Sequence, residues 1–123
     1  KEAALALLRD LVQGAAPNAL DSLVLVVVPN YNGDGNDALA PQAVQRTEQQ
    51  GPAIVGKRPN GANLDLNRDY IKAEAPETRA MLPWLARGVI DVFVDLHTTN
   101  GSYHGYALTW SPSLHPGAPL ARY

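Results

Sequence analysis

The apolar positions of this chain form two pairs, each a helical stripe followed by a short continuous run, with a long polar stretch between them. Residues 2–13 carry Ala4, Leu5, Leu7, Leu8, Leu11 and Val12 at helical spacing, and Gly14 is placed to close the helix in the left-handed conformation. After a connection over residues 15–21, residues 22–28 are apolar without alternation and rich in β-branched side chains. That pattern predicts a strand covered on both faces, stopped by Pro29. Residues 75–88 predict a second helix, with Pro76 in the first turn and Glu77 beside the positive end. Pro83 is expected to kink or split it, and Gly88 to end it. Residues 89–96 predict a second buried-type strand, residues 103–110 a weaker third, and a Pro-rich tail follows from Ser111. Residues 30–63 are rich in Gly, Asn, Gln and Pro with little periodicity, and loops of this length in compact domains are usually functional or disordered. The order of elements predicts an α/β fold, helices lying on the faces of a sheet.

Composition narrows the function classes. At 123 residues the chain is one domain or part of one, and 46% apolar with 18% charged residues are globular values. A net charge of −2 and a pI near 5.8 give no reason to expect nucleic acid or an acidic membrane as partner. Without cysteines there is no disulfide framework, thiolate metal site or cysteine nucleophile. The run at residues 23–28 is too short to span a bilayer, and there is no signal-peptide pattern or internal repeat.

The candidate chemistry lies where the polar stretch ends, in Asn63-Leu64-Asp65-Leu66-Asn67-Arg68-Asp69-Tyr70, with Arg58 nine positions before Asn67. A guanidinium presents a fork of donors to a carboxylate, and an amide adds a neutral donor beside it, so this set reads as a receptor for a small anion. Asn67 and Arg68 are neighbours and would face opposite ways on a strand, so they converge on one ligand only if the backbone turns. Read alone, they form an exposed loop with an ion pair to Asp65 or Asp69. Asp65 alternates with two leucines and is either an outward strand residue or a carboxylate that orients a metal-binding histidine. His97 follows the second run directly, where open α/β sheets place ligands; it reads as a metal or catalytic residue, or as a histidine bonded to the backbone. Thr98, Thr99, Asn100 and Gly101 follow as a polar turn. Arg58 and Arg46 read by default as solvated loop arginines, although a donor aimed at developing negative charge is the usual oxyanion device. Gly33, Asp34 and Gly35 do not match a phosphate cradle, because no helix is expected promptly after the strand. His104, His115, Ser102 and Ser111 have no catalytic context.

In combination, Pro29-Asn30-Tyr31-Asn32-Gly33, Gly56-Lys57-Arg58, the Asn63–Arg68 stretch and Asp95-Leu96-His97 resemble the zinc carboxypeptidase family over nearly the whole chain. The resemblance implies a doubly wound α/β/α mixed sheet of the zinc-exopeptidase type. It implies a Zn²⁺ hydrolase acting on a peptide, or on a small acylated amino acid, with a free carboxylate. By the same resemblance Asn67 and Arg68 bind that carboxylate, Arg58 steadies the oxyanion, His97 is a zinc ligand and Asp65 supports a zinc-bound histidine. The chain departs from the pattern in lacking a His-x-x-Glu pair, which the family has before the helix that here begins at Lys1, and in lacking an assignable glutamate base. Asn-Tyr-Asn-Gly also stands where the family usually has Asn-Pro-Asp-Gly, a change that keeps the turn chemistry. Residues 1–123 are therefore expected to be an internal part of a larger catalytic domain, inactive in isolation, with the remaining ligands and the base outside. A related amidohydrolase and a carboxylate-binding module without metal stand as alternatives, and the compartment is open between secreted, periplasmic and others.

Overall fold

The computed structural model describes residues 1–15, 18, 20–98, 105–106 and 108–111. Among them run α1 (Glu2–Val12), α2 (Gly33–Asp37), β1 (Ala40–Pro41), α3 (Gln42–Gln45), β2 (Ile54–Val55) and α4 (Pro76–Ala86), with a 3₁₀ turn at Leu66–Arg68.

The two long helices follow their local signals. At the end of α1 the Gly14 N–H donates to the Leu11 carbonyl at 3.1 Å and the Ala15 N–H to the Asp10 carbonyl at 2.9 Å, with Gly14 at φ +77°. This is a Schellman closure, and it needs the positive φ that glycine supplies. In α4, Pro76 occupies the first turn and Ala75 before it is extended, as a residue preceding proline prefers. Pro83 does not split α4, which runs on to Ala86. Its cost falls on the Arg79 carbonyl, left without a helical donor. Gly88, at φ +65°, follows the end.

The sheet differs from expectation. β1 and β2 pair antiparallel, Ala40 with Val55 and Pro41 with Ile54, so the molecule mixes helices with a small two-stranded sheet. Residues 22–28 and 89–96 belong to no strand, nor do the described members of 103–110, of which 103, 104 and 107 lie outside the described residues. A strand exists through its hydrogen-bonded neighbour, and among the described residues neither run has one, so side chains of both lie at the surface: Val24 is 91% and Val92 71% exposed. Conversely, the stretch 30–63 holds α2, β1, α3 and β2. Amide side chains supply the order that periodicity would not have revealed. Asn32 caps α2 by accepting from the Gly35 N–H at 2.9 Å. Gln45 Nε2 donates to the carbonyls of Ala38 and Val55 at 2.6 and 3.0 Å, and Gln42 Nε2 donates to those of Arg46 and Gln49.

Among the described residues those buried are Ala4, Gly35, Leu66, Ala75 and three polar ones, Asn60, Asp69 and Thr78. All three polar residues are bonded, as burial requires. Asn60 accepts from the Ala62 and Leu64 N–H groups and donates to both oxygens of Glu77. Asp69 accepts from the N–H groups of Glu74 and Ala75 at the start of α4. Tyr31 donates its hydroxyl to Thr78 at 3.2 Å and stacks on Tyr70 with ring centres 6.4 Å apart. These bonds fasten the first turn of α4 to residues 60–70, which carry the candidate site. Among the described residues no helix is long and apolar enough to cross a membrane.

Candidate functional site

The backbone does turn at the Asn-Arg pair. Asp65 caps the 3₁₀ turn by accepting from the Asn67 N–H at 3.0 Å, while Leu66 is buried beneath it. The turn carries Asn67 and Arg68 out of strand alternation, and the Asn67 side chain becomes the meeting point of the site. Its oxygen accepts from Arg68 Nη1 at 2.8 Å and Arg58 Nη2 at 3.1 Å, and its nitrogen donates to His97 Nε2 at 3.2 Å. This orientation follows from the partners, since guanidinium groups only donate and must face the amide oxygen. It also sets the histidine tautomer: Nε2 carries the lone pair, and Nδ1–H donates to the Thr98 carbonyl at 2.8 Å.

Arg58 is held from several sides. Its Nε donates to Asp65 Oδ2 at 2.9 Å in a half-exposed ion pair, and its carbonyl accepts from Asn32 Nδ2 at 3.0 Å. Among the described residues the Asp65 side chain bonds Arg58 and the turn, and the Asn67 side chain meets His97. Burial pulls the Asp65 carboxyl upward, but the bonds from Arg58 and Asn67 and the charges of Arg58 and Arg68 outweigh it and leave it below its ordinary value. Arg46 lies close enough to feel both Arg58 and Asp65. Burial, then the like charge of Arg58, bring it below the ordinary guanidinium value, and the Asp65 carboxylate opposes them. Arg58 and Arg68 thus converge on the Asn67 amide, and Arg46 lies beside Arg58.

Arg58, Asp65, Asn67, Arg68 and His97, all singled out from the sequence, form one connected cluster. Asn32 and Gln45, which sequence reasoning did not credit, bond the main chain that carries Arg58, as does Arg46, whose default reading is a solvated loop arginine. Asn32 alone offered a sequence signal, as an N-cap residue type directly before Gly33. The five-residue α2 does follow residues 22–28, contrary to expectation, but its first turn is capped by Asn32. Thr99, Asn100, Gly101, Ser102, His104 and His115 lie outside the described residues.

The donor set meets the requirements of zinc in part. His97 has an Nδ1–H anchored to a carbonyl, the support that metal-binding imidazoles usually have, while its Nε2 lone pair accepts from the Asn67 amide, a bond that a metal ion would have to replace. Among the described residues, however, no group of three His, Cys, Asp or Glu is gathered to hold a metal ion. A hydrolytic zinc needs three protein ligands, and one imidazole supplies one.

No protein-family model, curated protein or solved structure matches this chain.

Proposed function

We propose that this cluster is the substrate-anchoring wall of a zinc-dependent carboxypeptidase. The reading rests on one arrangement: the end of the Asn67 amide that its partners assign as oxygen lies between two guanidinium groups, 2.8 Å from one and 3.1 Å from the other. A neutral oxygen there occupies a place better filled by an anionic one, since a charged acceptor roughly doubles the strength of such bonds. Asn67 and Arg68 would take the terminal carboxylate of a peptide or acylated amino acid. Arg58, its Nε held by Asp65 and its Nη2 bonded to Asn67, would turn its remaining N–H donors to the oxyanion that develops at the scissile carbonyl. His97 would hold zinc through Nε2 together with ligands from outside the described residues; the metal, when bound, polarises the carbonyl and activates water. The apolar runs 22–28 and 89–96 would enter a doubly wound sheet as buried strands, which puts His97 at a carboxyl strand end.

The test is zinc content and release of the C-terminal residue by the intact protein. Arg68→Ala should raise KM by about 10- to 100-fold, the worth of a charged hydrogen bond. His97→Ala should lose the zinc and the turnover together. Normal turnover by His97→Ala would overturn the assignment. Release only from acylated amino acids would place the protein among related amidohydrolases. Carboxylate binding without turnover would make it a binding module.

A further inference from the structure

The main chain that leads into Arg58 is held at four consecutive positions, each by a group from another segment. The Val55 carbonyl accepts from Gln45 Nε2 at 3.0 Å and the Gly56 carbonyl from Arg46 Nε at 3.3 Å. The Lys57 N–H donates to the Gly35 carbonyl at 2.9 Å, and the Arg58 carbonyl accepts from Asn32 Nδ2 at 3.0 Å. β2 ends at Val55, so no sheet ladder fixes residues 56–58. The approach is tight: a Cβ on Gly35 would lie 2.7 Å from the Lys57 carbonyl, and one on Gly56 would overlap the Gly35 carbonyl. Gln45 ends α3 and Arg46 follows it directly, so one short element delivers both side-chain donors to adjacent carbonyls.

We infer that Gln45 and Arg46 are positioning residues for Arg58, fixing the main chain at Val55 and Gly56 so that the guanidinium spans Asp65 and Asn67. The inference deepens, and rests on, the proposal that Arg58 meets the anionic group of the substrate. Arg46 acts here through its Nε–H, and its charge is incidental. Positioning has kinetic weight, because misplacing a group that contacts the transition state by about 1 Å can cost about a hundredfold in rate.

The experiment uses the intact protein and three variants. Gln45→Glu keeps the shape and loses both donors. Arg46→Ala removes the donor and the charge. Arg46→Gln places an amide N–H where the arginine Nε–H stood and removes the charge with the Nη groups. Turnover of a peptide with a free C-terminus is measured alongside the ¹⁵N-edited resonance of the Arg58 Nε–H, with the thermal midpoint as a check on folding. Gln45→Glu and Arg46→Ala should lower kcat about tenfold or more, leave KM within about twofold and shift the Arg58 resonance, while Arg46→Gln restores both readouts. Unchanged kcat and an unshifted Arg58 resonance in folded Arg46→Ala would overturn the inference, as would an Arg46→Gln no better than Arg46→Ala. If the wild type releases no C-terminal residue, the proposed function fails, and the Arg58 resonance still decides the positioning role by itself.

Discussion

Asp69 places a carboxylate at 2% exposure and, among the described residues, without a salt bridge, relying on hydrogen bonds from the chain around it. Burial pulls its pKa up, but the Thr78 hydroxyl, the Ala75 and Glu74 N–H groups and the charge of Arg79 overcome this and leave it below the ordinary 3.8. The folded pKa is depressed, so the stabilisation is present above the unfolded value and is lost as pH falls from 3.8 through the folded value. Asp65 contributes with the same sign. Acid titration of folding, followed by circular dichroism, should therefore show a loss of stability below about pH 4 that Asp69→Asn flattens, together with a lower midpoint for that variant at neutral pH. Tyr70, pushed up to about 12 by burial and by its neighbours Tyr31 and Asp95, should stay neutral throughout. At the site, Asn67→Asp sets an anion between Arg58 and Arg68 and should close the receptor on itself. Calorimetry with a free-carboxylate peptide should find affinity reduced about tenfold in Asn67→Ala, which loses one hydrogen bond, and further in Asn67→Asp. Equal affinities in the two variants would show that Asn67 and Arg68 do not receive the carboxylate.

Among the elements, two glycines separate conformational from steric constraint. Gly14 faces open space but sits at φ +77°, so Gly14→Ala should cost about 1–2 kcal/mol through the backbone alone. Gly35 has no such φ but is packed against Asn32 and Lys57, and Gly35→Ala should cost about 1–3 kcal/mol by overpacking and also displace Arg58. Chemical denaturation measures both, and a neutral Gly35→Ala would contradict the close approach of α2 to residues 56–58. The ends of α1 and α4 were legible because caps, prolines and glycines act within a turn of where they stand. The strands expected at 22–28 and 89–96 depended on partners elsewhere, which a run of valines cannot specify. α2 and α3 escaped notice because Asn32, Gln42 and Gln45 bond main-chain groups and leave no apolar period. The convergence of Asn67 with Arg68 was legible as a condition, a turn at that point, and the 3₁₀ turn capped by Asp65 meets it. The support of Arg58 by Gln45 and Arg46 was not, because it runs through carbonyls that every sequence possesses.

Over the whole molecule the polar cluster is well bonded while the apolar runs lie open, with Val26 at 62% and Val94 at 69% exposure. If these runs are buried strands of a doubly wound sheet in the intact protein, Val26→Asp and Val94→Asp should each destabilise it by about 3 kcal/mol or more. Effects within about 0.5 kcal/mol would mean that both runs remain at the surface. Function reduces to whether the Asn67 oxygen marks the place of a substrate carboxylate. The direct measurement is calorimetric binding to the intact protein of one peptide prepared with a free and with an amidated C-terminus, repeated with Arg68→Ala. Anchoring by Asn67 and Arg68 predicts at least about tenfold tighter binding of the free form, a preference that disappears in Arg68→Ala. Equal affinity for the two peptides, or a preference that survives Arg68→Ala, would contradict it.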